Sequence, residues 1–108
     1  MSRPVRMAQG STSAAAHAVY AVPFGYRAIL SEVLLVNTSP YAQFSLWLVP
    51  QGRVPDKKYL LQSNIPLALD ENRYITLATV MNSGDRLFVA AEGEVSYCVS
   101  GIELEEIE

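Results

Sequence analysis

An apolar run that follows a Pro-x-Gly turn is the feature of this sequence that most constrains its fold. Pro23 and Gly25 favour a tight turn, because proline fixes its own φ and glycine accepts a positive φ. In residues 27–37, which follow, apolar side chains occupy both faces of an extended chain, whereas a strand with one solvated face alternates. One face would carry Ile29, Val33 and Leu35, and the other Ala28, Leu30, Leu34 and Val36. Both faces of this strand must therefore be covered.

From His17 onward, short runs of β-branched and aromatic residues alternate with Pro, Gly, Asn and Asp about every ten residues. This spacing is typical of an all-β sandwich or barrel, and the links are too short for helical crossovers, so the strands should pair antiparallel. We predict a single antiparallel β-sandwich, jelly-roll-like, of about eight strands. The predicted strands are 17–22, 27–37, 43–49, 59–62, 65–69, 74–81, 86–91 and a last strand from residue 95.

The last strand changes phase near its end. Val95, Tyr97 and Val99 share one face, but the apolar positions that follow are Ile102 and Leu104. A bulge at Gly101 would restore the inward face, since glycine tolerates the unusual backbone. The acidic residues beyond it then belong to a solvated tail.

A chain of 108 residues is long enough for one core and too short for two. Residues 1–16 are rich in Ser, Ala and Gly without an apolar period, which predicts an arm that is flexible or becomes ordered on assembly. Residues 17–108 then form the sandwich domain. Arg3 and Arg6 are the only charged residues of the arm, whereas six of the eleven acids lie in residues 92–108. Any charge-based contact would join opposite ends of the chain, as in binding a neighbouring copy.

The charge and composition exclude several classes of partner. A net charge of −3 argues against a general binder of nucleic acid or anionic membranes. No run reaches the roughly 18 apolar residues of a membrane span, and no apolar segment follows Arg3 and Arg6 as in a secretory signal. We predict no nucleic-acid or membrane partner and synthesis in a cytoplasm. Cys98 is the only cysteine, so no disulfide forms within the chain, and its apolar surroundings favour a buried thiol.

The sequence contains no pattern typical of catalysis. His17 is the only histidine and lacks a nucleophile-elbow motif, so we interpret it as a residue at a strand edge. Asp70 and Glu71 lie in a predicted turn, where they are better placed to cap backbone groups than to act as an acid and a base. No phosphate loop and no cluster of metal ligands occurs. We therefore predict a protein that is not an enzyme and has no cofactor or metal.

The strongest candidates for contact residues lie in three places. The loop 50–58 is long and polar, which is typical of a projecting contact loop. The doubly apolar strands leave one face for a second subunit, and the arm supplies two arginines. An alternative is a carbohydrate-binding module that uses Tyr41, Trp47 or Tyr59 as exposed aromatic residues. The candidate interface residues are Arg3, Arg6, Leu34, Val36, Trp47, Val49, Arg53, Lys57 and Lys58.

The stretch YAVPFGYRAILSEVLLVNTS, residues 20–39, resembles a pattern in small β-sandwich modules of tailed-bacteriophage virion proteins. FSLWLVP and NSGDRLFV are similar to later strands and a Gly-Asp turn of such modules, so the resemblance covers roughly residues 20–102. The long 50–58 loop and the acidic end depart from the pattern. The positions that match are Tyr20, Val22, Pro23, Gly25, Ala28, Ile29, Val33, Val36, Asn37 and Ser39.

The resemblance implies a non-enzymatic structural component of a virion. Such modules form homo-oligomers, often trimers, in capsid decoration (cement) proteins, head fibres, collars and tails. The expected function is a capsid decoration protein that binds the major capsid protein or another virion protein and is located in the virion after synthesis in the host cytoplasm. A collar, tail or baseplate protein is the alternative, and a carbohydrate-binding module is the alternative of another class.

Overall fold

Eight β-strands and one short 3-10 turn make up the structure, a computed structural model that describes residues 2–105. The 3-10 turn, Lys57–Tyr59, precedes the fifth strand. The strands are β1 Ser2–Ser11, β2 His17–Ala21, β3 Tyr26–Asn37, β4 Tyr41–Val49, β5 Leu60–Ala68, β6 Asn72–Met81, β7 Arg86–Glu92 and β8 Val95–Glu105. Strands β3, β4, β6 and β8 are rich in the β-branched and aromatic residues that fit a pleated, half-buried surface.

The strands form two four-stranded antiparallel sheets that pack face to face. Sheet 1 has the order β1-β8-β3-β6 and sheet 2 the order β2-β7-β4-β5. Consecutive strands alternate between the sheets, except for β4 and β5, which are neighbours in sheet 2. Two such sheets of four strands with crossing connections form a jelly roll. The predicted fold class, an antiparallel, jelly-roll-like β-sandwich, is confirmed.

A bulge in β3 explains why this strand is apolar on both faces. Leu30 pairs with Gly101 and Glu32 with Ser100, so Ser31 is an extra residue that reverses the phase of the strand. The inward-facing residues before and after the bulge therefore form one face. This face matches neither of the two faces predicted for residues 27–37. Inward-facing and fully buried are Ala28, Leu30, Val33 and Leu35. Half-buried on the outer face of sheet 1 are Ile29, Leu34 and Val36.

The prediction of a flexible N-terminal arm is corrected by β1. Residues 2–11 pair along most of β8 as an edge strand of sheet 1, and Ala91 N–H bonds to the carbonyl of Ser13 in the link to β2. The apolar period was hidden by a bulge at Met7 and by small inward residues such as Gly10, which packs against the Tyr97 ring. The N-terminal segment is therefore part of the sandwich and not a separate arm.

Two predicted strands, 59–62 and 65–69, are one strand. β5 continues through the Ser-Asn pair by means of an irregularity at Asn64, which has a φ of 50°. The Asn64 N–H donates a hydrogen bond to Ser45 Oγ at 2.9 Å, which stabilises this conformation. The predicted total of eight strands equals the observed total only because two errors cancel. Dividing β5 into two strands added one, and omitting β1 removed one.

The predicted bulge at Gly101 is also wrong. The alternation of β8 continues unbroken, so Gly101 and Glu103 are buried while Ile102 and Leu104 lie on the outer face. The bulges that accommodate this register lie in the two neighbouring strands, at Met7 and Ser31. Glycine is required at position 101 because a Cβ there would lie 2.3 Å from the Ile29 carbonyl oxygen. The rest of the predicted acidic tail, residues 106–108, lies outside the described residues.

The connections cluster at two ends of the sandwich. The terminal end carries both described chain ends and the loops 22–25, 50–59 and 82–85. The distal end carries the loops 12–16, 38–40, 69–71 and 93–94. Among the described residues, no helix is long and apolar enough to cross a membrane.

Candidate assembly surfaces

The outer face of sheet 1 carries rows of apolar side chains that no described element covers. Neighbouring strands align their outward side chains in rows across the sheet, so that Ile102, Ile29 and Val80 form one row. Val80 and Tyr74 are 55% and 63% exposed. The surface also carries polar residues, because Arg6 and Glu32 lie between the apolar rows. An uncovered apolar sheet face of this kind marks an interaction surface.

A shallow hollow lies on this face towards the distal end. The candidate residues Leu34 and Val36 contribute to it, and Cys98 pairs with Leu34 across the strands. Cys98 is half-buried and faces outward, which corrects the expectation of a buried thiol. The hollow has a volume of about 130 Å³. It is lined by Gln9, Leu34, Val36, Ser96, Tyr97 and Cys98.

The candidate residues Arg3 and Arg6 lie on β1, and Arg3 joins a cluster within the same chain. Arg3 Nη2 lies 2.8 Å from Glu103 Oε1, and Tyr20 Oη donates to Glu103 Oε2 at 2.6 Å. The Arg3 guanidinium also lies 5.0 Å from the centre of the Tyr26 ring. Arg3 is therefore already bound by the acidic C-terminal strand of its own chain, and this contact does not require a neighbouring copy.

The cluster shifts the pKa of the Glu103 carboxyl and the pKa of the Tyr20 hydroxyl. The hydrogen bond from Tyr20 lowers the pKa of Glu103, and so does Arg3, against the opposing effect of burial. Burial, followed by the bond to the Glu103 carboxylate, raises the pKa of Tyr20 well above its ordinary value of 10.0. Sequence reasoning placed Glu103 in a solvated tail. The available signal was its phase, since an unbroken alternation from Val95, Tyr97 and Val99 places Glu103 on the inward face.

The candidate residues Arg53, Lys57 and Lys58 lie in the loop 50–59 at the terminal end, and all three are exposed. Asp56 caps the 3-10 turn by accepting a hydrogen bond from Lys57 N–H at 2.6 Å. The backbone carbonyl of Arg53 accepts a hydrogen bond from Arg86. The loop is therefore anchored near its middle while its cationic side chains face the solvent.

Sequence reasoning missed Phe24, which lies at the same end. Its side chain is 98% exposed. The Pro-x-Gly pattern itself was the signal, because the residue between proline and glycine lies at the tip of the turn.

The candidate residues on sheet 2 have different environments. Trp47 is half-buried and lines a groove of about 250 Å³ on the outer face of this sheet, with Gln43, Asn64 and Glu92 among the polar residues around it. Val49 is fully buried, so its prediction as a surface contact is corrected. It pairs with Arg86, whose bond to Arg53 holds the following loop at this end of the strand.

The residues considered for catalysis have structural contacts. His17 begins the edge strand β2, and its Nδ1 lies 3.1 Å from the Ala15 carbonyl oxygen. Glu71 accepts a hydrogen bond from Ala68 N–H at 2.9 Å, as predicted for a carboxylate in a turn. Within residues 2–105, no group of three His, Cys, Asp or Glu side chains is placed to hold a metal ion.

No protein-family model and no curated protein matches the chain significantly. Solved structures do match. The viral particle of infectious bursal disease virus, in its T13 crystal structure, contains a chain that aligns with a TM-score of 0.62 and 8% identity, over 96% of this chain and 31% of the viral chain. A Bacillus endospore appendage, from a family of disulfide-linked pili, gives a TM-score of 0.63 and 15% identity, over 99% of this chain and 88% of the appendage chain.

These similarities define the fold. The Gx strain of the same virus aligns with a TM-score of 0.58 and 7% identity, over 95% of this chain and 31% of the viral chain. The chain thus spans less than a third of the length of the viral chains and most of the length of the appendage chain. The same jelly-roll fold therefore occurs in a viral particle and in a pilus.

Proposed function

We propose that the protein is a non-enzymatic structural subunit that self-associates in a virion, as a capsid decoration protein of a tailed phage. The observation that carries this proposal is the uncovered apolar outer face of sheet 1 on a rigid sandwich. A particle built from many copies requires a module that keeps its shape, and close packing of two sheets supplies this rigidity. The resemblance of residues 20–39 to phage modules and the fold shared with a viral-particle protein support the same role.

The size of the face indicates how it would be used. Four strands about 4.8 Å apart and about ten residues long at 3.3 Å per residue give a face of roughly 600 Å². A stable interface of standard size buries about 800 Å² per partner. The face therefore requires added contacts from loops or from a capsid protein, which fits a subunit that binds both its own copies and a shell.

Solution mass and particle binding test this function. Sedimentation equilibrium of the full chain from 1 to about 100 μM should show concentration-dependent association, with a trimer as the expected species. Tailed-phage heads of the matching host, stripped of accessory proteins, should retain the chain on a gradient, and cryo-electron microscopy should place it on the capsid. Density on the collar or tail would favour the alternative position. A monomer that binds no part of a virion would contradict the proposal.

A carbohydrate-binding role is the second candidate, favoured by the groove on sheet 2. Sugar sites combine an aromatic surface with amide and carboxylate groups, and Trp47, Gln43, Asn64 and Glu92 offer this combination in one groove. A glycan array followed by calorimetry tests it. Binding that Trp47→Ala abolishes, and that the exposed-tyrosine variant Tyr74→Ala on the opposite sheet retains, would support it. An array without signal at high protein concentration would remove it.

A further inference from the structure

Phe24 forms a rigid apolar knob at the terminal end. It occupies the second position of a turn in which Tyr26 N–H donates to the Pro23 carbonyl at 3.1 Å and Gly25 has a φ of +85°. The turn is tied to the loop 82–85, since Gly25 N–H donates to Ser83 Oγ at 3.2 Å. Its side chain is nevertheless almost fully exposed. A preorganised turn that holds a phenyl ring in solvent loses little conformational entropy when it binds.

The hollow on sheet 1 matches a phenyl ring in size and polarity. Its volume of about 130 Å³ is close to the roughly 150 Å³ of a protein cavity that binds benzene. Two aliphatic side chains, Leu34 and Val36, line it together with Cys98, while the Tyr97 ring is buried in the core below. Gln9 and Ser96 are its polar members. The hollow is therefore suited to an aromatic side chain.

The knob and the hollow lie too far apart to meet within one molecule. Phe24 lies two residues before the start of β3, whereas Leu34 and Val36 lie in the last four residues of that strand. Ten residues of strand span about 30 Å. A Phe24 ring that fills the hollow must therefore come from another molecule.

The charges at the two ends are complementary. The loop 50–59, close to the knob, carries Arg53, Lys57 and Lys58 in solvent. At the distal end, Glu94 is exposed two residues before Ser96 of the hollow, and Asp70 is exposed on the loop 69–71. Opposite charges on two patches orient an encounter and raise its rate. A second copy of this chain supplies both the knob and the matching charge.

We propose that Phe24 of one copy inserts into the hollow formed by Leu34, Val36 and Cys98 of the next copy. This contact rests on the proposed self-assembly and specifies its geometry. It joins two different patches, so each added copy presents a new knob and a new hollow. Growth then continues head to tail, as a ring if the rotation closes and as a filament if it does not.

Blocking each half of the contact separately tests it. Phe24→Asp removes the knob, and this residue is too exposed for the change to affect folding. Alkylation of Cys98, the only thiol, with a bulky maleimide fills the hollow without any change of sequence. Either block should lower the association constant at least about 30-fold, as for a hot-spot residue. Val54→Asp is the matched control, because Val54 is also exposed at the terminal end, and Cys98→Ser controls for loss of the thiol.

Mixing the two blocked proteins gives the decisive result. The Phe24→Asp protein keeps its hollow and the alkylated protein keeps its knob, so the mixture should form a dimer that contains one of each and grows no further. Sedimentation velocity with one partner fluorescently labelled measures this, and circular dichroism confirms that both are folded.

The possible outcomes distinguish a failure of the proposed contact from a failure of the proposed function. Association that survives both blocks would place the interface elsewhere and leave self-assembly intact. Blocked proteins that stay monomeric when mixed would refute the head-to-tail geometry. Unmodified protein that stays monomeric at about 1 mM, the limit of a weak contact, would overturn both the contact and self-assembly.

Discussion

Tyr20→Phe probes the polar cluster that ties the two sheets together at the terminal end. Tyr20 lies on β2 of sheet 2 and Glu103 on β8 of sheet 1, so their 2.6 Å hydrogen bond crosses the sandwich. The Glu103 side chain is 8% exposed. Replacing tyrosine by phenylalanine removes one hydroxyl and leaves the ring, so the change isolates the hydrogen bond.

The expected loss of stability is about 2 kcal/mol. Hydrogen bonds to charged groups contribute roughly 1.5–3 kcal/mol, and the carboxylate that remains is poorly hydrated. Arg3 still binds Glu103, but its guanidinium is exposed and screened by solvent, so it compensates little. For a domain of this size a loss of 2 kcal/mol lowers Tm by about 10 °C.

The loss should depend on pH in two ways. The pKa of Glu103 is lowered in the folded state, so its stabilising effect is complete above the ordinary value of 4.5 and is lost as pH falls through the lowered pKa. The pKa of Tyr20 is raised, so its effect is complete below its ordinary 10.0 and is lost as pH rises through the raised pKa. The difference between wild type and variant should be constant from about pH 5 to 9 and shrink outside this window.

Urea denaturation followed by circular dichroism at each pH measures this difference. Tyr74→Phe is the control, because Tyr74 is 63% exposed on the outer face of sheet 1 and its loss should change the unfolding free energy by less than about 0.5 kcal/mol. A Tyr20→Phe loss below 0.5 kcal/mol, or one that stays the same at pH 3, would refute the assigned role of the bond.

Two further substitutions test the packing. Gly101→Ala should destabilise by about 2 kcal/mol or more in urea denaturation, because its Cβ would lie 2.3 Å from the Ile29 carbonyl oxygen and 2.4 Å from Met7 Cε; wild-type stability would contradict the close approach. Asn37→Ala should cost about 3 kcal/mol in the same assay, since the buried amide donates to the Leu67 and Ala68 carbonyls at 3.1 and 2.9 Å. A loss below 1 kcal/mol would show that these carbonyls find other donors.

The strand pattern of the middle of the chain was predictable from sequence, and the largest errors lie in the first and last strands. β3, β4, β6 and β7 were placed within two residues of their observed bounds, because each is long and apolar. β1 was missed because a bulge at Met7 and small inward residues hide its apolar period. The β8 phase was misassigned because Gly101 and Glu103 face inward while the apolar Ile102 and Leu104 face outward. The bulge at Ser31 lies opposite the step from Ser100 to Gly101, and the bulge at Met7 lies opposite the step from Val99 to Ser100.

The candidate surfaces were predictable only in part. The outward position of Leu34 and Val36 was predictable because an apolar second face is visible in the sequence, and their role in an interface stays a prediction. Val49 was included wrongly, because it is fully buried although it lies in phase with the half-buried Gln43 and Trp47. The hollow combines residues from β1, β3 and β8, which are distant in sequence, and only the topology brings them together.

The edge strands of both sheets explain why assembly would use the Phe24 turn and the outer face of sheet 1 instead of strand pairing. An exposed edge strand invites pairing with another chain, and proteins prevent this with proline, charge, bulges or short strands. β1 carries Pro4 and a bulge at Met7, and β5 carries Pro66 and the irregularity at Asn64. β2 has only five residues, and β6 is interrupted opposite Ser31. Each edge is thus unsuited to extended sheet pairing. Ordered growth would then depend on side-chain contacts, such as the proposed contact between Phe24 and the hollow on sheet 1.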